Sequence, residues 1–187
     1  PNVVGEMAAA SVAGMAEYHV VSCAKHFPGH GDTAVDSHYG LPSVDKSLEE
    51  LLTCELVPYK ALINQGVDMI MTAHILYPKL EKDMLYSFKT GKEETLPATM
   101  SDDIITGLLK EGLGFEGIVV TDAMNMEGIT DNWDPVQAVV NAIWAGADMI
   151  CMPCSLASSK DIAALENIIA GEEVSEQEGD SPMSRID

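Results

Sequence analysis

Four stretches of the chain share one plan, an apolar run that ends in polar side chains: HVVSCAKHF (19–27), GVDMIMTAHI (66–75), GIVVTDAMN (117–125) and GADMICMP (146–153). Runs this continuous suit strands covered on both faces, as in a parallel sheet. Helical patterns lie between them. Residues 5–18 carry an Ala- and Met-rich period, and Ser47 with Glu50 forms a capping box ahead of LLTCELVPYKALINQ. Ser101 is placed to cap DDIITGLLKEGLG, and Asp134 with Pro135 starts VQAVVNAIWAGA. The last three helices end near Gly66, Gly114 or Gly117, and Gly146, each leading into the next strand. This repeated order predicts a parallel sheet with right-handed crossovers.

The segments that follow strands are long and rich in His, Asp, Thr and Asn, whereas those that precede strands are short and Gly-rich. Chemistry is therefore expected at the carboxyl ends of the strands, as in a β/α barrel, although a doubly wound sheet obeys a similar rule. A complete TIM-type (β/α)8 barrel needs eight strands and the pattern yields about four. The expectation is an α/β chain forming the C-terminal half of such a barrel over residues 1–170, with 171–187 as an acidic linker or tail. Four parallel strands leave two open edges, so either a missing N-terminal half or a homodimer is expected to cover them.

Charge narrows the partners. Ten basic against thirty acidic side chains give a formal net charge of −20, which disfavours nucleic acid and anionic membrane surfaces. The apolar runs are too short and interrupted to span a bilayer, and residues 1–20 lack the plan of a signal peptide. No compartment is indicated, and no cofactor is implied. Cys23, Cys54, Cys151 and Cys154 are too few for a disulfide framework and are expected as buried free thiols; Cys151 and Cys154 form a C-x-x-C without the second pair a zinc ribbon needs.

The chemistry concentrates in CAKHFPGHGDTAVDSH (23–38), which holds His26, His30, His38, Asp32, Asp36 and Lys25. Three readings are open. His26, His30 and His38 with an aspartate could bind zinc in a hydrolase, although the spacing matches no common zinc signature. The polar residues could simply pin a long turn around Pro28, Gly29 and Gly31. Or Asp36 could orient His38 two residues later, since alternate side chains of an extended segment share a face, and so make an acid/base catalyst for neutral pH. Asp122, at the end of the strand run VVTDAM, sits where a barrel places a nucleophile. His74 ends another strand run and is either a substrate contact on that rim or a hydrogen-bonded core histidine. The segment 77–97 carries Lys79, Lys82, Lys89 and Lys92 and reads as a solvated insertion.

AKHFPGHGDTAVDSH followed by GIVVTDAMNM resembles the catalytic domain of family 3 glycoside hydrolases, in its β-N-acetylhexosaminidase branch, over most of residues 1–160. The resemblance implies a retaining exo-glycosidase that removes terminal β-linked N-acetylglucosamine from cell-wall or chitin-type saccharides, with phosphorolysis conceivable beside hydrolysis. It also implies Asp122 as nucleophile, His38 as acid/base with Asp36 as its partner, Lys25 and His26 on sugar hydroxyls, and Met124 lining the pocket floor. The Asp-Gln-Glu-Gly-Gly-Arg-like sugar-gripping segment of that branch is absent. The fragment is thus expected to hold only part of a substrate site, and a saccharide-binding remnant without turnover is the non-enzymatic alternative.

Overall fold

The computed structural model describes residues 1–33, 41–155 and 158–178. Three parallel strands form its sheet: β1 (Cys23–Phe27), β2 (Met69–Thr72) and β5 (Ile118–Val120), in the order β1-β2-β5. Cys23 pairs with Met69 and Met69 with Ile118; two residues on, Lys25 pairs with Met71 and Met71 with Val120. The register slips between Lys25 and Phe27, so His26 sits in an irregularity of the strand.

The fourth expected strand is present only as a bridge. Val120 and Met149 pair in parallel, and Asp148 and Met149 both donate to the Val119 carbonyl, at 2.8 and 3.1 Å. The 66–75 and 117–125 runs are likewise shorter as strands than their hydrophobic extent suggests. Polarity alone does not mark where ladder pairing stops.

Three helices begin where their caps predict, at Ser47, Ser101 and Asp134. Helix α1 (Asn2–Glu17) precedes β1, while α2 (Leu48–Thr53) starts with the reciprocal Ser47–Glu50 box and α3 (Leu56–Gln65) ends on Gly66 at φ +83°. The Ser101 hydroxyl accepts from Ile104 N at 3.1 Å and opens the π-type helix Asp103–Gly112. Asp134 accepts from Val136 and Gln137 N–H groups, with Pro135 as the first residue of α5 (Pro135–Trp144). The short α4 (Glu127–Thr130) lies before it, and α6 (Ser159–Glu178) runs on past residue 170.

The 77–97 segment is not a bare insertion. It folds as an antiparallel hairpin, β3 (Met84–Ser87) with β4 (Lys92–Thr95), turning at Gly91 with φ +66°. Alternation divides its faces: Leu85 is buried, whereas Met84, Tyr86 and Phe88 are exposed. The hairpin is tied to the end of α4, with the Ser87 hydroxyl 2.6 Å from Asn132 Oδ1 and Phe88 N donating to the Asn132 carbonyl at 2.9 Å.

The larger of two core clusters lies on one side of the sheet. Ile70 and Val119 face it together with Leu51, Leu56, Ile104, Ile105 and Leu109, all wholly buried. On the sheet's other face Cys23, Lys25 and Ile118 are exposed and Met69 and Met71 half-buried, so both-face burial does not hold. In a closed barrel that inward face is filled by side chains from strands across the axis. All four cysteines are free, but Cys23 and Cys54 are exposed, which corrects the expectation of buried thiols. Among the described residues no helix is long and apolar enough to cross a membrane.

Close backbone approach explains Gly117, at the entry to β5. A Cβ there would lie 2.4 Å from the Asp68 carbonyl oxygen, which already receives Ile118 N, and 2.6 Å from the Phe115 ring. Gly14, at an exposed position of α1, meets nothing within 4 Å. Gly117→Ala is expected to destabilise the protein by about 1–3 kcal/mol through overpacking. Gly14→Ala is expected to stabilise it by about 0.5–1 kcal/mol through helix propensity. Urea midpoints with unchanged m-values check both signs.

Candidate active site

Asp122 stands two residues beyond β5, and the backbone on either side of it is fastened to the following β/α unit. Thr121 N donates to the Met149 carbonyl at 3.0 Å, the Thr121 hydroxyl accepts from Cys151 N at 2.9 Å, and Met124 N donates to the Cys151 carbonyl at 2.9 Å. Its carboxylate has two distinct sides. Oδ1 accepts from Ala123 N at 2.8 Å, and Oδ2 lies 3.6 Å from Nε2 of His26, with the two side chains 16% and 25% exposed. An anion is thus fixed at the carboxyl edge of the sheet, facing solvent in part.

His26 arrives from β1, and its ring packs edge-on to His30 with centroids 5.5 Å apart. The Thr33 hydroxyl donates to the His30 carbonyl at 2.9 Å, so Nδ1–H of His30 donates to the Thr33 oxygen at 2.8 Å. Lys25, one residue before His26, is exposed on the open sheet face. Met124 is buried and packs with Leu85, Leu96, Met100, Ile129 and Trp133. Asp36 and His38 lie outside the described residues.

Three interactions seat the loop 28–33. The Tyr77 hydroxyl donates to the Gly29 carbonyl, and Gly29 lies so near Glu55 that a Cβ would be 2.7 Å from its Cγ. Lys46 Nζ bridges Asp32 Oδ2, at 2.9 Å, and Glu55 Oε1. Hydrogen bonds from Glu55 first, then Asp32, hold the Lys46 ammonium above the usual lysine range, so it stays charged. Glu55 is only 11% exposed at its side chain, and its Oε2 has no hydrogen-bond partner among the described residues. A cleft of about 750 Å³ opens here, lined by Lys25, His26, His30, Asp32, Lys46 and Glu55 among others. His26 is common to this cleft and to the Asp122 carboxylate.

His74 is not on the rim surface. It is 0% exposed, with Nε2 3.0 Å from the Ala123 carbonyl and Nδ1 2.9 Å from the Thr99 hydroxyl. Lys46, Glu55, Tyr77 and Thr99 carry no sequence signal that ties them to the site; only the Ser47 capping box located the neighbourhood of the first two. Among the described residues no group of three or more His, Cys, Asp or Glu side chains is arranged to hold a metal ion.

Lys46→Met is expected to leave the Glu55 carboxylate without its cation and to cost about 1–3 kcal/mol. Amide exchange at residues 29–33 should rise well above that at β2, while Lys46→Arg keeps most of the protection. Urea melts and hydrogen exchange provide the two readings.

Comparison with known proteins gives the family of the chain. The chain is 42% identical over 171 residues to β-hexosaminidase A of Pseudoalteromonas piscicida, covering 91% of this chain and 28% of that protein. A family 3 β-N-acetylglucosaminidase from Paenibacillus sp. strain FPU-7 matches in structure with TM-score 0.69 and 34% identity, covering 88% of this chain and 33% of that one. The β-N-acetylglucosaminidase of Thermotoga maritima matches with TM-score 0.75 and 30% identity, covering 96% of this chain and 35% of that one. The chain therefore spans well under half the length of these relatives. Its parallel β/α units are part of a TIM-type barrel, as the strand pattern suggests. Residues 1–187 match the glycosyl hydrolase family 3 N terminal domain along their whole length, and the chain belongs to that family.

Proposed function

We propose that this chain contributes the nucleophile and the acid/base loop of a retaining glycosidase acting on terminal β-linked N-acetylglucosamine. The observation that carries the reading is the Asp122 carboxylate, held on Oδ1 by a backbone N–H and faced on Oδ2 by His26 at the carboxyl edge of the sheet. The names of the relatives, a β-hexosaminidase and β-N-acetylglucosaminidases, support the choice of sugar.

In this mechanism Asp122 attacks the anomeric carbon with its less encumbered oxygen while His38, oriented by Asp36, protonates the departing glycosidic oxygen. The glycosyl-enzyme ester is then opened by water, which His38 deprotonates. Retaining enzymes ordinarily use two carboxyl groups about 5–5.5 Å apart, so an imidazole in the acid role is a departure from the usual pair. Its physical merit is charge: neutral imidazole does not repel an anionic acceptor, and phosphate could replace water in the second step. Lys25 and His26 serve as hydrogen-bonding groups for sugar hydroxyls, and Met124 backs the floor.

The open inward face of the sheet and the exposed Val3, Val4 and Met7 of α1 are surfaces that further barrel strands, or a second copy, would cover. The cleft beside β1 then becomes interior, and the remainder of the sugar site comes from that covering segment.

The test is release of nitrophenol from nitrophenyl β-N-acetylglucosaminide by the full-length protein, with and without phosphate. Asp122→Ala is expected to abolish turnover. Asp36→Ala and His38→Ala are expected to lower the rate about 10²–10⁴-fold on poor leaving groups and far less on the activated aryl glycoside. A folded protein that releases nothing but retains saccharide would leave the binding-only alternative, and stoichiometric zinc on purified protein would favour the metal-dependent one. Wild-type rates in Asp122→Ala would refute the nucleophile.

A further inference from the structure

His74 ends β2's run at the rim, yet its ring is wholly enclosed and touches no open space. The Ala123 carbonyl only accepts, so Nε2 of His74 carries hydrogen and donates to it at 3.0 Å. On the opposite side Nδ1 lies 2.9 Å from the Thr99 hydroxyl oxygen. That oxygen also receives the Thr72 hydroxyl at 3.0 Å and lies 3.0 Å from the Ala73 carbonyl. Thr99 has one hydroxyl hydrogen and two acceptors within reach. Pointed at Nδ1, it serves a neutral imidazole; turned to Ala73, it leaves its lone pair for the Nδ1–H of an imidazolium. Either state is hydrogen-bonded. Burial favours the neutral ring and lowers its pKa, opposed by the Ala123 bond and the Asp122 charge.

Residue Ala123 is where this network meets the carboxylate. Its N–H donates to Asp122 Oδ1 at 2.8 Å, and its carbonyl is the acceptor of His74. Holding the carbonyl restrains the residue whose N–H sets the carboxylate's rotation. The other carboxylate oxygen, the one nearer His26, is left to react. We infer that His74 is a positioning residue for the nucleophile: through Ala123 it fixes which oxygen of Asp122 faces the sugar and at what angle. This rests on Asp122 being the nucleophile as proposed above.

The test uses the full-length protein. His74→Phe keeps a planar ring and removes both hydrogen bonds; His74→Gln restores a donor of similar reach. For His74→Phe, kcat per folded molecule is expected to fall about 10²-fold, the scale of a misplaced reacting group, with KM little changed. The fall should be equal for poor and activated leaving groups, unlike the loss of an acid. His74→Gln should recover part of it. Thr99→Val should reproduce the defect and Thr99→Ser should not, which covers the case that His74→Phe does not fold. Unchanged kcat per folded molecule in these variants would overturn the inference. A reading independent of activity comes from nitrogen-15 spectra of labelled histidine. The His74 ring should be the Nε2–H tautomer, and Asp122→Asn should shift its resonances. An Nδ1–H tautomer, or a ring indifferent to Asp122→Asn, would refute the role of His74. A wild-type protein inert toward every glycoside with the expected spectra would refute the glycosidase reading alone.

Discussion

Everything at the candidate site depends on β2 pairing with β1 on one side and β5 on the other. That shared ladder fixes the register between two segments far apart in sequence. It brings His26, after Lys25, to 3.6 Å from the carboxylate of Asp122. Neither segment holds this geometry alone: Asp122 is beyond the last paired residue of its strand, and His26 occupies a slip in its own. The sheet delivers both ends, and local hydrogen bonds finish the aim.

Those finishing bonds are of two kinds. Around Asp122 they are mostly neutral and buried: Ala123, Thr121, Cys151, His74 and Thr99. Low local polarity strengthens such networks and makes each unmet group expensive. Around the 28–33 loop they are ionic and nearer solvent, with one lysine shared between two carboxylates. The mount of Asp122 is therefore stiff, while the loop 28–33 is clipped down at a few points. That division suits the reaction proposed above, in which one group would attack a fixed carbon and the other would serve a leaving group and then a water.

Much of this was legible in the chain. Ser47 with Glu50 and Asp134 with Pro135 marked helix starts because capping is a local rule, satisfied within four residues. VVTDAM placed Asp122 at a strand's end because apolar runs stop where a sheet meets solvent. The lengths of the strands were less legible, since Val20 and Val21 are as apolar as the core but exposed, outside the ladder. The hairpin within 77–97 is not legible in the chain because its charges obscure a short alternation. His74 was readable as chemistry but not as to side: whether a strand-end histidine faces the rim or the interior depends on Thr99 and Ala123, which are distant in sequence. Lys46 and Glu55 were invisible for the same reason.

The hairpin's attachment bears on how this chain can change over generations. Its root, at Ser87 and Phe88, is bonded to Asn132, at the end of the segment that leaves the Asp122 turn, and its inner Leu85 packs in the cluster that contains Met124. Its tip, Lys89 to Gly91, bears an exposed ion pair to Asp131 and two local turn hydrogen bonds, from Thr90 N and Gly91 N to Ser87. Insertions and charge changes are thus permitted at the tip and selected against at the root. A lineage could remodel the outer loop freely while inheriting, unaltered, the brace under the Asp122 turn.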